Sequence, residues 1–266
     1  MGYDSDSEVH EEPVTYTRMV QFRLGFSWIH AEADLFNRHF PHVLRLAIVP
    51  RAWYGVVRRC TGWLPASLQA VIRRLWPGAF LPTHVVLKKL ARPTLCRTEL
   101  FDNEIAMYKR LRALQGNIIA HFYGEASFRE DNGQRKRAIV LSVVDSEVAN
   151  RTVPIPMEEF KRRIGAAHGE MLRHGTAYDD VLLGNIVLQN GKRDKGGGDG
   201  DGNEGGGRAV FLDLEFAFPS EPDKAERRAK SLVVDYGYRY RDYLMTWESQ
   251  QREMHSAAGT ASARSM

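Results

Sequence analysis

Residues 178–185 read YDDVLLGN, and residues 210–215 read VFLDLE. The first segment has the spacing D-x-x-x-x-N from Asp180 to Asn185 and follows a helical pattern. The second is an apolar strand pattern that ends in Asp213. Phosphoryl transfer from a nucleotide needs one carboxylate to receive a hydroxyl proton, and an amide oxygen and a second carboxylate to hold magnesium. We therefore expect Asp180 to be the catalytic base, and Asn185 and Asp213 to bind the metal.

A strand and a helix precede these segments. Residues 84–88 read HVVLK and predict a buried strand that ends in Lys88. A helix is expected next, because apolar residues recur at helical spacing after Asp102, a candidate N-cap, and Gly116 would stop it. This helix carries Glu104, sixteen residues after the lysine.

Two strands and a turn follow that helix. Residues 118–128 and 136–144 are apolar runs typical of strands. The sequence Asp131-Asn132-Gly133 between them favours a hairpin turn. The expected order is thus strand, helix, strand, turn, strand.

The second half begins after Pro156 with an amphipathic helix that ends at His174-Gly175. Paired short strands are expected at 186–188 and 209–212, and a charged, tyrosine-rich helix at 221–255. The predicted apolar face of the first helix consists of Phe160, Ile164, Ala167 and Met171.

This ordered set resembles the protein-kinase-like superfamily, especially its small divergent branch of fungal-type kinase-like and aminoglycoside-phosphotransferase-like proteins. The resemblance runs from about Val85 to Phe218. It implies an α+β, two-lobed, protein-kinase-like fold, truncated after the motif Asp213-Leu214-Glu215. It also implies an atypical phosphotransferase that moves the γ-phosphoryl group of ATP to an unknown hydroxyl acceptor, with ATP and Mg²⁺ as cofactors.

The resemblance assigns further roles. Lys88 would contact the α- and β-phosphates of ATP, and Glu104 would pair with that lysine and fix its position. Glu215 stands where protein kinases carry the glycine of D-F-G, and it could help to hold the metal. Each residue also has a structural alternative: Lys88 as a solvated charge at a strand edge, Glu104 as a first-turn glutamate favoured by the helix dipole, and Glu215 as the partner of a nearby arginine.

Three departures from the family pattern favour an alternative, a catalytically inactive pseudokinase that acts as a binding scaffold. No G-x-G-x-x-G precedes Lys88, a region that offers only Gly78. Leu182 replaces a lysine that would neutralise charge on the transferring group. The chain after Asp213 is also too short for the usual later helices and peptide-docking surface.

The expected organisation has five parts along the chain. They are a disordered N-terminus at 1–17, a basic aromatic segment at 18–80 with several short helices broken by prolines, a kinase-like small lobe at 81–150, an abbreviated large lobe at 151–255 with a flexible glycine-rich insertion at 191–208, and a disordered tail at 256–266.

Charge is unevenly distributed although the net charge is only +4. No acidic residue lies between Asp34 and Glu99, and tryptophans alternate with arginines there. The basic segment 38–97 could face an anionic partner such as lipid, nucleic acid or an acidic protein. Alternatively, its aromatic side chains pack on the core while its arginines are solvated. A third hypothesis is that the chain is an interaction protein and that this segment binds its partner.

Composition limits the class of protein and its compartment. No run of 18 uncharged apolar residues exists, so we expect no transmembrane segment. The acidic N-terminus lacks a secretory signal, and the two cysteines, Cys60 and Cys96, support neither a zinc site nor a disulfide framework. These features favour an intracellular location, cytoplasmic or nuclear.

Overall fold

A computed structural model of the protein describes residues 18–35, 41–130, 132–144, 148–190 and 207–264. The expected α+β class is confirmed. The chain divides into two compact units, which we call the first unit and the second unit. The first unit comprises Met1–Ala91 and Tyr123–Val143, and the second comprises Arg92–Phe122 and Val144–Met266.

Six strands of the first unit form a closed barrel. The order around it is β1-β2-β3-β4-β6-β5, and β1 pairs with β5, where Phe22 lies opposite Phe128. Closure leaves no strand edge open to pair with another chain. The strands are β1 Arg18–Leu24, β2 Ser27–Leu35, β3 Val43–Ile48, β4 His84–Lys89, β5 Phe122–Arg129 and β6 Arg135–Ser142.

Alternating side chains fill the barrel. In β1, Val20, Phe22 and Leu24 are buried, whereas Met19 before them and Arg23 between the last two are exposed. This period of two is what a strand with one buried face requires.

The prediction of short helices throughout residues 18–80 is wrong for the first part, because 18–48 contain three strands. Helices follow only at α1, Ala52–Thr61, and α2, Ala66–Leu75. The prolines do mark boundaries: Pro50 lies between β3 and α1, and Pro65 is the N-cap of α2. They do not reveal whether an element is a helix or a strand. That depends on pairing partners in the barrel, and the partner strand β5 lies about 100 residues away from β1 in the chain.

The predicted strand at Lys88 is confirmed as β4, and the two later strands are confirmed as β5 and β6. Between β5 and β6, the Glu130 N–H donates to the Gln134 carbonyl at 2.9 Å. Gly133 has a φ of +80°, which suits glycine in a tight turn. Asp131 of the expected turn lies outside the described residues.

The second unit contains the helices α3 Leu95–Arg110, α4 Met157–Arg173 and α5 Pro222–Arg264. The prediction that Asp102 caps α3 is wrong. The N-cap is Thr94, whose hydroxyl accepts a hydrogen bond from the Arg97 N–H. Glu104 therefore lies in the third turn, is fully buried and is no exposed first-turn glutamate.

Helices α4 and α5 pack through aromatic contacts. The predicted apolar face of α4 is confirmed, since Phe160, Ile164, Ala167 and Met171 are all buried. The Phe160 ring stacks on Tyr240 of α5, with 3.9 Å between centroids. Helix α5 also continues to Arg264, so the expectation of disorder is wrong for 256–264.

Two short ladders complete the second unit. Strand β7, Thr176–Tyr178, pairs with β10, Ala217–Pro219. Strand β8, Ile186–Gln189, pairs with β9, Arg208–Phe211, which confirms the predicted pairing. The expected disordered N-terminus and residues 191–206 of the glycine-rich insertion lie outside the described residues. In the described part of the chain, no helix has both the length and the apolar character to cross a bilayer.

Candidate functional site

Strand pairing brings two loops of the second unit together. One loop, residues 179–185, joins β7 to β8, and the other, residues 212–216, joins β9 to β10. Because β7 pairs with β10 and β8 pairs with β9, both loops connect the same two ladders. We call them the Asp180 loop and the Asp213 loop.

Backbone hydrogen bonds join the two loops at each end. The Asp179 N–H donates to the Phe216 carbonyl at 3.2 Å, and the Leu212 N–H donates to the Asn185 carbonyl at 2.9 Å. The second bond places Asn185 beside the residue that precedes Asp213. Two of the predicted metal ligands therefore come from adjacent backbone.

The Asp180 carboxylate is buried and held within its own loop. Its Oδ1 accepts the Leu182 N–H at 2.9 Å, and its Oδ2 accepts a hydrogen bond from the Asn185 side-chain Nδ2. The bond from Asn185 uses its nitrogen, so its amide oxygen is not part of that contact. These two bonds fix the orientation of the carboxylate before any ligand arrives.

The Asp213 loop brings three carboxylates close together. Glu104, Asp213 and Glu215 each offer one oxygen, and these oxygens lie within 4.8 Å of one another. Oxygens around one magnesium ion lie up to about 4 Å apart, because each is about 2 Å from the metal. Glu104 is fully buried, and the other two residues are partly exposed. We call this set the carboxylate cluster.

Helix α3 holds the Asp213 loop in place. The Asn103 side-chain Nδ2 donates to the carbonyls of Glu215, at 2.9 Å, and of Ala217, at 2.7 Å. One turn later, the Tyr108 hydroxyl donates to the Leu212 carbonyl at 3.3 Å. Burial raises the pKa of Tyr108 well above its ordinary value, and the carboxylates of Glu104 and Asp213 raise it further.

Glu215 also lies near an arginine, as its structural alternative predicted. The Arg97 Nη1 lies 4.0 Å from the Glu215 Oε2, and the Glu215 N–H donates to the Asp213 Oδ1 at 3.0 Å. Glu215 thus combines a long ion pair with a place in the carboxylate cluster.

An aromatic layer lies beneath the Asp180 loop. The rings of His168, Tyr178, Phe211 and Tyr236 are buried and in contact, with His168 5.1 Å from Phe211 between centroids. The Tyr236 hydroxyl donates to the Asp180 carbonyl. The Tyr178 hydroxyl has no hydrogen-bond partner among the described residues.

Burial controls the ionisation of this layer. It lowers the pKa of His168 to about 4, although the nearby Asp179 opposes the shift. It raises the pKa of Tyr236, and the Asp180 carboxylate adds to that effect. The layer is therefore neutral at physiological pH.

Asp179 and Leu182 flank Asp180 on the outside of its loop. The Asp179 carboxylate accepts two hydrogen bonds from Arg228 of α5, at 2.8 and 3.1 Å. Leu182 is 52% exposed. Neither side chain brings positive charge to the loop.

Lys88 belongs to the first unit, and Glu104 to the second. Lys88 is 7% exposed in a strand that pairs on both sides, so it is no solvated charge at a strand edge. Its neighbour Lys89 lies on the opposite face of β4, 3.7 Å from Glu130 and over the Phe128 ring. The predicted pairing of Lys88 with Glu104 stays a prediction.

The second unit thus brings together five of the six predicted site residues: Glu104, Asp180, Asn185, Asp213 and Glu215. Sequence reasoning missed Asn103, Arg228 and Tyr236. The tyrosine-rich pattern of α5 was visible, but nothing local indicates which tyrosine reaches a carbonyl 56 residues earlier.

Comparison with protein-family models gave no match, and comparison with curated proteins gave none either.

Proposed function

We propose that this protein is an atypical, protein-kinase-like phosphotransferase with a two-lobed fold of that type, which moves the γ-phosphoryl group of ATP to a hydroxyl acceptor. The observation that carries the proposal is the pair of adjacent loops. One loop holds an oriented carboxylate, Asp180, and the other supplies Asp213 and Glu215 of the carboxylate cluster. The two loops thus offer a candidate base and candidate magnesium ligands, two of the parts that phosphoryl transfer uses.

The carboxylate cluster fits a magnesium ion. Magnesium prefers oxygen ligands and is usually bound by one or two carboxylates together with substrate phosphates. Asp213, Glu215 and Glu104 offer three such oxygens, and Asn185 lies beside the residue that precedes Asp213. When bound, the ion would neutralise the charge of the phosphates.

Asp180 is proposed to receive the proton of the acceptor hydroxyl. Each carboxylate oxygen has two lone pairs, so the bonds from Leu182 and Asn185 leave room for a further donor. A base held by fixed hydrogen bonds needs little reorganisation when the proton moves. The buried aromatic layer supports the loop from below and contributes no competing charge.

The second candidate is an inactive pseudokinase that binds partners. The exposed Leu182 favours it, because no cation comes from that position to stabilise charge on the transferring group. This candidate predicts no turnover, whether or not nucleotide binds.

Calorimetric titration of ATP, with and without magnesium, tests the proposal. We expect binding that depends on magnesium and is lost in Asp213→Ala, while Asp242→Ala, which removes an exposed carboxylate of α5, behaves as wild type. Release of ADP by the wild type separates the enzyme from the pseudokinase. No ATP binding to the folded protein would overturn the phosphotransferase and favour the pseudokinase.

Lys88 enters the proposal through the resemblance and has its own test. Lys88→Met should weaken ATP binding without changing the affinity of the isolated magnesium ion, since the lysine would act on phosphates only. An unchanged affinity for ATP would remove Lys88 from the site.

A further inference from the structure

A pair of helices in the first unit carries apolar side chains toward solvent. Helices α1 and α2 follow one another with four residues between them. Trp63, in that connection, is 88% exposed, the highest value among the large apolar residues of the described chain. We call the exposed apolar set the hairpin surface; it consists of Trp53, Val56, Trp63, Leu68 and Val71.

The inner face of α1 makes the contacts that attach this helix to the rest of the unit. Tyr54, Val57, Arg58 and Thr61 recur at the spacing of one helix face, and Tyr54 and Thr61 are buried. The Arg58 guanidinium donates to the carbonyls of Ala79 and Leu81. Val56 lies on the opposite side of the wheel, where packing within the unit does not explain an apolar residue, and Trp53 remains 39% exposed although its ring contacts Tyr54.

Helix α2 is even less embedded. None of its ten residues is buried. Leu68, Val71, Ile72 and Leu75 share one face at helical spacing; Ile72 and Leu75 are half-buried, whereas Leu68 and Val71 are exposed. The apolar face of a surface helix normally packs against the core, and these two members of the face lie in solvent instead.

The turn between β1 and β2 extends the same surface. The Ser27 hydroxyl donates to the carbonyl of Leu75, the last residue of α2, at 3.4 Å. Gly25, with a φ of +57°, approaches the backbone of Arg74 so closely that an added Cβ would lie 3.3 Å from its carbonyl oxygen. Phe26, between these two residues, is 72% exposed.

The charge of this region has one sign. Arg51, Arg59, Arg73 and Arg74 flank or belong to the two helices and are exposed. No aspartate or glutamate occurs anywhere between Asp34 and Glu99. The hairpin surface therefore combines exposed apolar side chains with exposed cations nearby in the chain, and no acidic residue lies in the same stretch of sequence.

We propose that the hairpin surface docks this protein onto the surface of a membrane that contains anionic lipid. The apolar side chains would enter the boundary between headgroups and acyl chains, and the arginines would lie at the level of the headgroups. Tryptophan prefers this interfacial layer because its ring is amphipathic. The inference does not depend on the proposed phosphotransfer.

A bilayer fits the observations better than a nucleic acid does. Nucleic acid would use the arginines, but its charged backbone offers nothing to Val56, Leu68 and Val71, and base stacking would use only the tryptophans. A protein partner would need an apolar face with acidic residues around it. An anionic bilayer supplies both environments at once.

Co-sedimentation of the full chain with vesicles tests the proposal. Vesicles of phosphatidylcholine alone are compared with vesicles that also contain phosphatidylserine, at low and high salt. We expect binding to the second kind only, weakened by salt because part of the attraction is electrostatic. The emission of Trp63 should shift to shorter wavelength on binding, and Trp63→Tyr should lose that shift.

Surface variants locate the contact. We expect Trp63→Ser with Leu68→Ser and Val71→Ser to weaken binding on the order of 100-fold, because three partly inserted apolar side chains are lost. Arg59→Gln and Arg74→Gln should each weaken it about fivefold. Val153→Ser and Arg239→Gln, exposed residues of the second unit, serve as controls and should bind as wild type.

The outcomes that overturn the proposal are distinct. Equal sedimentation with and without phosphatidylserine would exclude recognition of anionic lipid. Undiminished binding by the triple variant would place the contact elsewhere. Saturable binding of single-stranded RNA, with no binding to vesicles, would assign the surface to nucleic acid.

Discussion

The Asp180 loop and the Asp213 loop share one local structure and have different surroundings. In each, an aspartate two residues after a strand accepts the N–H of the residue two positions later: Leu182 for Asp180 and Glu215 for Asp213. The second oxygen of Asp180 then accepts a hydrogen bond from Asn185. Asp213 instead meets two further carboxylates, Glu104 and Glu215.

This difference shows how one motif can serve two purposes. The bond from the aspartate to the following backbone is local and recurs wherever an aspartate begins a turn. The second oxygen of Asp180 is bound by Asn185 of the same loop, whereas Asp213 lies beside Glu104 of α3. Helix α5 supports the Asp180 loop through Tyr236, whereas α3 supports the Asp213 loop through Asn103. The five predictions below test this division of roles.

The largest effect is expected for Asp180→Ala. Loss of a general base should lower ATP turnover by about 10²- to 10⁴-fold while leaving nucleotide binding intact. Asp213→Ala should instead lose magnesium-dependent binding. ADP release at saturating ATP and calorimetric affinity separate the two variants, with Asp242→Ala as control. Equal turnover by Asp180→Ala and the wild type would remove Asp180 from the mechanism.

The aromatic layer beneath the Asp180 loop should make stability depend on pH. His168 has a pKa of about 4 in the folded protein, against an ordinary value near 6.5. Between these values the unfolded chain binds a proton that the folded protein does not. The contribution of neutral His168 to the free energy of unfolding is therefore complete above pH 6.5, and that free energy falls by about 3 kcal/mol as the pH drops to 4.

Urea unfolding at pH 7 and pH 4.5 checks this dependence. His168→Phe keeps an aromatic ring in the layer and should flatten the pH profile. The Glu159 carboxyl, whose pKa is lowered to about 2 by hydrogen bonds from Arg162 and Arg163, loses its contribution only below the pH range tested. The same slope in wild type and His168→Phe would contradict the prediction.

On the other loop, Asn103→Ala should have a somewhat smaller effect. The variant loses two hydrogen bonds to the carbonyls of Glu215 and Ala217, so we expect a loss of about 2 kcal/mol in the free energy of unfolding. Because the bonds hold the Asp213 loop, affinity for manganese, used as a probe of the carboxylate cluster, should also fall. A less stable protein with unchanged manganese affinity would show that Asn103 does not position the cluster.

Two buried tyrosines provide a matched pair for the Asp180 loop. Tyr236→Phe removes the hydroxyl that donates to the Asp180 carbonyl and should cost about 1 kcal/mol. Tyr178→Phe removes a hydroxyl without a hydrogen-bond partner among the described residues, so it should be neutral or slightly stabilising. Thermal unfolding measures both, and a larger loss for Tyr178→Phe than for Tyr236→Phe would reverse the interpretation.

The smallest effect is expected for Arg228→Gln. Its ion pair with Asp179 is bidentate, but both side chains are substantially exposed, so we expect a loss of about 0.5 kcal/mol. That difference should shrink at high salt, since exposed pairs are screened. A large loss that persists in high salt would mean that the pair holds the Asp180 loop in place.

The sequence by itself determined the elements whose signals are local. The apolar face of α4, the strand that carries Lys88 and the pairing of β8 with β9 were all predicted, because periodicity and turn residues act over a few positions. The positions of Asp180 and Asp213 after short strands follow in the same way. Even the resemblance depended on this order of local elements and on six side chains.

Only the tertiary structure decided which distant groups meet. The barrel closes because β1 pairs with β5, and β1, β2 and β3 are strands because each has pairing partners in the barrel. Glu104 joins Asp213 across more than 100 residues of chain, and Tyr236 reaches Asp180 from a helix with no local mark of that role. Closing such long loops costs conformational entropy, and the burial of apolar surface over the whole unit offsets that cost. Because the whole unit contributes, no short stretch of sequence indicates which distant residues meet.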